Sequence, residues 1–235
     1  MSRKKVVVLI SGRGSNMNAL IEASHDRDYP AEIIGVISDQ ADAPGLKAAQ
    51  ARGLSTVAVP RSGFSDKPAH EAALVDAIER MGAEIICLAG FMRLLSAEFV
   101  ARFEGRMINI HPSLLPLFKG LDTHKRAIEA GMRVHGTTVH YVTAEMDGGP
   151  VIAQAAVPVL PNDTEASLGA RVLKAEHAIY PLALALVASG KAAMQGGKTI
   201  YSGLEGMDFE EKASIVSPAS WRGIADLQDL ARITP

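Results

Sequence analysis

The sequence predicts an α/β protein built on an open, mostly parallel sheet with flanking helices and an antiparallel edge in its C-terminal half. Three features carry that expectation. Short apolar, β-branched runs alternate with stretches of helical period through the first half of the chain. The first of these runs opens directly into a glycine-rich turn and a helix. After Pro116 two extended runs follow one another with only a loop between them.

In order, Val6 to Ile10 is a continuous β-branched run that reads as a strand buried on both faces. The turn from Ser11 to Asn16 and the apolar-periodic stretch from Met17 to Ala23 follow it. Glu32 to Ser38 is a second strand, and Gly45 to Arg52 a short helix. Ser55 to Val59 is a third strand, stopped by Pro60. Lys67 to Met81 has helical spacing, and Glu84 to Ala89 is a fourth strand ended by Gly90. Ser96 followed by Glu98 has the form of a helix start. Met107 to Ile110 is a fifth strand, and Thr123 to Ala130 a helix ended by Gly131. The alternating runs from Val134 to Val142 and from Val151 to Val159 then form an antiparallel pair. Asp163 or Thr164 caps a long helix to about Ala188, which Pro181 is expected to kink or interrupt. This succession is Rossmann-like in its first half. It places a main domain at residues 1–189 and an extension, richer in Gly, Ser and charge, at 190–235. Within that extension a short helix is expected around Ile224 to Ala231.

Composition narrows the class of function. The chain is 48% hydrophobic with a net charge of −2, so neither nucleic acid nor an anionic membrane is expected as a partner. The apolar run that follows Ser2 to Lys5 is too short for a signal peptide or a membrane span. The single cysteine, Cys87, lies in an apolar run and is expected to be buried and inert. A cytoplasmic location fits these features, and the oligomeric state is left as monomer or homodimer.

Chemistry concentrates around Met107 to Pro116. Asn109 and His111 are two residues apart, so on a strand both side chains point to one face and emerge together at its end. Open α/β sheets bind ligands at such strand ends. The downstream Glu145-Met-Asp-Gly-Gly-Pro150 stretch offers an acid, Asp147. An amide and an imidazolium can stabilise a developing oxyanion, and a carboxylate can hold the imidazole charged or move a proton. The three together suit attack by an amine on a carbonyl-like carbon. The glycine turn Ser11 to Asn16 is open to two readings, a tight strand-helix connection or a site for a small phosphorylated ligand. It is not a full dinucleotide fingerprint, because Met17 stands where the third glycine would be, and it lacks a Walker lysine.

Other constellations fail. Ser113 lacks the Gly-x-Ser-x-Gly elbow of a serine hydrolase. His135 and His140 are five apart and face opposite ways on a strand, so no metal is expected there, and His140 is read as lining the cleft. His124 is either a helix-start residue or a ligand contact. Arg93 is either a salt-bridged surface residue or a ligand contact.

Six stretches together resemble the glycinamide ribonucleotide formyltransferases of de novo purine synthesis. They are Ile10 to Asn16, Leu88 to Leu95, Asn109 to Pro116, His135 to His140, Met146 to Val151 and Glu176 to Pro181. The likeness runs from about Val6 to about Leu186. It implies transfer of a formyl group from 10-formyltetrahydrofolate, as cosubstrate and without a metal, to the amine of glycinamide ribonucleotide. By the same resemblance Asn109, His111 and Asp147 match the catalytic trio, and Gly14, Ser15, Asn16 and Glu176 match contacts with the ribonucleotide. Met92, Arg93, Leu94 and Leu95 match a segment bordering the folate, and Thr143, Ala144, Glu145, Met146 and Asp147 match the folate loop, with Asn109 also on that side. Lys67 stands where many members carry arginine, so it lacks the bidentate fork for a carboxylate. Methionyl-tRNA formyltransferases share Asn109 to Pro116 but carry a further RNA-contacting domain, and formyl-folate hydrolases carry a preceding regulatory one. A nucleotide-dependent oxidoreductase is disfavoured by the missing third glycine.

Overall fold

A computed structural model describes residues 2–203. The helix expected near Ile224 lies outside the described residues. A seven-stranded sheet has the order β3-β2-β1-β4-β5-β6-β7. Its strands are β1 (Lys4–Ile10), β2 (Ala31–Ser38), β3 (Ser55–Ala58), β4 (Ile85–Leu88), β5 (Met107–His111), β6 (Val134–Tyr141) and β7 (Val151–Pro158). The first five strands are parallel, and β6 and β7 are antiparallel to their neighbours. The helices are α1 (Ser15–Ser24), α2 (Pro44–Gln50), α3 (Lys67–Met81), α4 (Ala97–Arg102), α5 (Thr123–Glu129) and α6 (Glu165–Ala188).

Strand β1 shows why the sheet is sandwiched. Its alternate residues Val6, Val8 and Ile10 join one core cluster with Met17, Leu20, Leu46 and Tyr180, from α1, α2 and α6. Val7 and Leu9 join the other, with Leu74, Ile78, Phe99 and Phe103 from and beside α3 and α4. A strand buried on both faces must be apolar at every position, which is the pattern of Val6 to Ile10. Cys87 lies within the first cluster, and burial pushes its thiol up to about 12, so it is no nucleophile at neutral pH.

Two features depart from the sequence expectation. Pro181 does not interrupt α6, which runs unbroken from Glu165 to Ala188. Tertiary packing outweighs the missing N–H: Tyr180, Ala183 and Leu184 are fully buried, and the Tyr180 hydroxyl bridges the carbonyls of Leu88 (2.9 Å) and Ile108 (3.2 Å). Residues 192–201, for which composition names only an extension richer in Gly, Ser and charge, form a second small sheet, β8 (Ala192–Gln195) and β9 (Lys198–Tyr201). Gly196 and Gly197 turn the hairpin with φ of 55° and 74°, the paired positive values of a tight two-residue loop. The hairpin is joined to the main core by Ala192, whose carbonyl accepts from Tyr141 at 2.9 Å, and by the Tyr201 hydroxyl on the Ile152 carbonyl at 2.6 Å.

No helix among the described residues is long and apolar enough to cross a membrane.

Candidate active site

A cavity of about 650 Å³ opens at the C-terminal ends of β4 and β5. This is where an open parallel sheet parts its connections and leaves room for a ligand. Asn109 and His111 line it from β5, and Asp147 from the loop between β6 and β7. A larger hollow of about 780 Å³ lies between β3 and α3, but its charged groups Asp76 and Arg80 are paired with each other at 2.8 Å.

The geometry of the trio follows from hydrogen-bond direction. His140 sits opposite Asn109 in the β5–β6 register, just past an irregularity between Val139 and His140. Its Nδ1 lies 2.8 Å from the Tyr141 carbonyl, which can only accept, so Nδ1 carries the hydrogen. Burial holds the His140 imidazole below its ordinary range, so the ring is neutral and Nε2 is an acceptor. The Asn109 amide donates to that Nε2 at 3.2 Å, which leaves its second N–H and its carbonyl oxygen uncommitted.

His111 is differently placed. Its Nε2 donates to the Phe118 carbonyl at 3.0 Å, and its Nδ1 faces Asp147 Oδ2 at 3.4 Å. Both ring nitrogens therefore look at acceptors, and only the doubly protonated ring supplies a hydrogen to each. Asp147 is held in turn by the Gly120 backbone N–H, which donates to Oδ2 at 2.9 Å. Its backbone is left-handed, with φ of 49°. Lys119 and Glu145 tie the same two loops together at 2.7 Å. His140 Nε2 is 3.9 Å from Asp147 Oδ1.

One end of the cavity is built by α1 and α6. Helix α1 starts after Gly14, whose φ of 72° is left-handed. No side chain caps the helix, so its first amides keep their partial positive charge. Asn16, buried, donates from Nδ2 to Glu176 Oε2 at 2.6 Å across from α6. Burial raises the Glu176 carboxyl and the Asn16 hydrogen bond opposes the rise. Asn16 Oδ1 is buried with no partner among the described residues. Both side chains line the cavity, whereas Gly14 and Ser15 are not part of its side-chain wall. Met17, in place of a third glycine, is fully buried in the core.

Of the other residues singled out in the sequence, Met92, Arg93, Leu94 and Leu95 line the cavity, as do Thr143, Ala144, Glu145 and Met146. Arg93 is also ion-paired with the buried Asp39, which bears out its salt-bridged reading. His124 lies in the first turn of α5 and lines the cavity as well. Its Nδ1 is 3.3 Å from Nε2 of the buried His135, whose ring burial drives down to about 4. Lys67 is not brought there: it opens α3 with its ammonium 3.7 Å from Glu71, and it is not part of the cavity wall. Sequence reasoning missed Phe118 and Gly120, which act through backbone atoms and so leave no side-chain signature. It also missed Leu121, Asp122 and Glu165 in the wall. Among the described residues no group of three or more His, Cys, Asp or Glu could hold a metal.

Comparison with known proteins points one way. The family described as formyl transferase matches residues 4–184. The chain is 47% identical over 189 residues to the phosphoribosylglycinamide formyltransferase of Escherichia coli (strain K12), covering 80% of this chain and 89% of that one. It is also 47% identical over 189 residues to the trifunctional purine biosynthetic protein adenosine-3 of Gallus gallus, of which it spans 19%. A crystal structure of phosphoribosylglycinamide formyltransferase from Brucella melitensis superposes with a TM-score of 0.78 at 57% identity, covering 80% of this chain and 97% of that chain.

Proposed function

The chain belongs to the formyl transferase family, and from that premise we propose that it transfers a formyl group from 10-formyltetrahydrofolate to the amine of glycinamide ribonucleotide. The products are N-formylglycinamide ribonucleotide and tetrahydrofolate, and the step belongs to de novo purine synthesis. The observation that carries this reading is the meeting of Asn109, His111 and Asp147, from a strand end and a distant loop, in one cavity.

In this mechanism the neutral substrate amine attacks the formyl carbon and the carbonyl electrons move onto oxygen. The free N–H of Asn109 and the Nδ1–H of charged His111 stabilise that oxyanion. The 3.4 Å separation of His111 Nδ1 from Asp147 is longer than a direct charge-assisted bond, so this N–H stays available to a ligand oxygen. Asp147 keeps the imidazolium charged and accepts the proton that the attacking amine sheds, through water. The same proton reaches the folate nitrogen as the carbon–nitrogen bond to the donor breaks. The balance is one proton moved and one formyl group exchanged, with no net redox change.

The binding residues follow the same division. The uncapped start of α1, at Gly14, Ser15 and Asn16, suits the ribonucleotide phosphate. Glu176 and the unpartnered Oδ1 of Asn16 offer acceptors to sugar hydroxyls. Exposed Met92, Leu94 and Met146 offer apolar surface to the flat donor, and the loop Thr143 to Asp147 closes its other side. Lys67 remains a candidate for a more distant donor carboxylate. Residues 1–189 are the catalytic unit in this reading, and the protein works on small molecules in the cytoplasm, as monomer or homodimer.

The test is a folate absorbance assay on the purified chain with and without glycinamide ribonucleotide. Tetrahydrofolate release that requires the amine is expected. Release at the same rate without it would make the protein a hydrolase and end this reading.

A further inference from the structure

Residues 89–96 connect β4 to α4 without regular secondary structure, yet they form one wall of the cavity. The strap is anchored inward by Phe91, which is buried, and Leu95, which packs on the same core. Between them Met92 and Leu94 project, 64% and 68% exposed. A segment with no ladder of its own must be held by side chains if those two residues are to stay in place.

Three polar ties hold it. Ser11 Oγ accepts from Met92 N at 2.8 Å near its start. Arg93 pairs with Asp39, whose side chain is 1% exposed. At its end Ser96 gives both of its donors to Glu71: the backbone N–H to Oε1 at 2.8 Å, and the hydroxyl to Oε2. The same Ser96 oxygen accepts from Phe99 N at 3.2 Å and so caps α4. Glu71 therefore decides where the strap stops and the helix begins. Its carboxylate is 9% exposed, with the Lys67 ammonium 3.7 Å away as counter-charge. Burying a carboxylate is costly unless its oxygens are well satisfied. Its helix face would otherwise suit an apolar residue, so retaining a charge there calls for a reason beyond packing.

We propose that Glu71 is a positioning residue for the formyl donor: through Ser96 it fixes the strap that presents Met92 and Leu94 to the cavity. It touches neither substrate, and the Lys67 ammonium 3.7 Å away serves it as counter-charge. This rests on the formyl-transfer reading given above. The acceptor site lies on α1 and α6, so the two substrates report on the strap separately.

The experiment is steady-state kinetics of the full chain with Glu71→Gln, Glu71→Ala and Ser96→Ala, alongside thermal melts and direct binding of tetrahydrofolate. Glu71→Ala should raise the donor KM about tenfold, with the ribonucleotide KM and kcat within about twofold. Glu71→Gln keeps one acceptor and should show a smaller rise in the same constant. Ser96→Ala, which leaves the backbone contact, should fall between Glu71→Gln and the unmodified chain. Tetrahydrofolate binding should weaken in the same order. A donor KM that does not move, or both KM values rising together in step with lost thermal stability, would overturn the assignment while leaving formyl transfer intact. Absence of turnover in the unmodified chain would instead overturn the functional reading, and the assignment with it. Should Glu71→Ala fail to fold, the ordering of Glu71→Gln and Ser96→Ala decides the matter in the same way.

Discussion

His111 Nδ1 and Asp147 Oδ2 face each other at 3.4 Å, one from the end of a central strand and the other from a loop at the sheet's edge. The Asp147 oxygen in that contact also accepts the Gly120 N–H, so the carboxylate is steered by backbone as well as by charge. The proposed chemistry depends on its charge, and the loop's shape depends on its hydrogen bond.

Asp147→Asn separates those two roles. Asparagine tolerates the left-handed backbone at this position and keeps an oxygen for Gly120, so the fold should be unchanged. It cannot hold an imidazolium or take a proton. We expect kcat to fall by about 10²–10³ with little change in either KM. Rapid-quench or absorbance kinetics on the purified variant checks this, and near-normal kcat would remove Asp147 from the mechanism.

Glu176→Gln tests the acceptor end. Glutamine keeps an oxygen for the Asn16 amide but loses the charged acceptor offered to a ligand hydroxyl. The ribonucleotide KM should rise about tenfold while the donor KM stays put. Equal rises in both constants would show that Glu176 serves the fold rather than the substrate.

How much of this was legible in the sequence can be argued residue by residue. Val6 to Ile10 announced a two-face buried strand because every position is apolar, and the observed alternation between two clusters is what such a run requires. Asn109 and His111 were visible as a pair because strand geometry alone puts residues two apart on one face. Asp147 stood out as an acid in a Gly-Gly-Pro loop, but no local rule carries it to them, since loop closure depends on tertiary partners such as Gly120 and Lys119. Pro181 does not interrupt α6, because the burial of Tyr180 and Leu184 on either side outweighs its helix propensity. The 192–201 hairpin was missed although Gly196-Gly197 is a two-residue hairpin signal, because its strands are only four residues each.

Gly149→Ala probes the same loop through its backbone. A methyl built on Gly149 would collide with the Tyr141 carbonyl oxygen at the end of β6. That oxygen belongs to the strand and already receives the His140 Nδ1–H, so the loop must yield instead. We expect a stability loss of about 1–3 kcal/mol in urea titration and a fall in kcat as Asp147 is displaced. Unchanged stability and turnover would mean that the loop has slack the packing does not suggest.

Stability should also depend on pH through buried histidines. Burial is the first cause lowering His135, from an ordinary 6.5 to about 4, with the neighbouring His124 adding to the effect. His124, His140 and His177 are shifted down as well, each chiefly by burial. The sign is that of groups buried neutral: below about pH 6.5 the unfolded chain takes up protons that the folded chain refuses. These rings therefore cost nothing above that pH, and stability is lost as pH falls from there toward 4. Thermal melts between pH 7.5 and 4.5 should show Tm dropping on the acid side (about these limits, set by the histidine range). His135→Gln keeps a polar group of similar reach without a titrating ring and should flatten part of that slope. A slope unchanged by the substitution would assign the acid sensitivity to the carboxylates rather than to this ring.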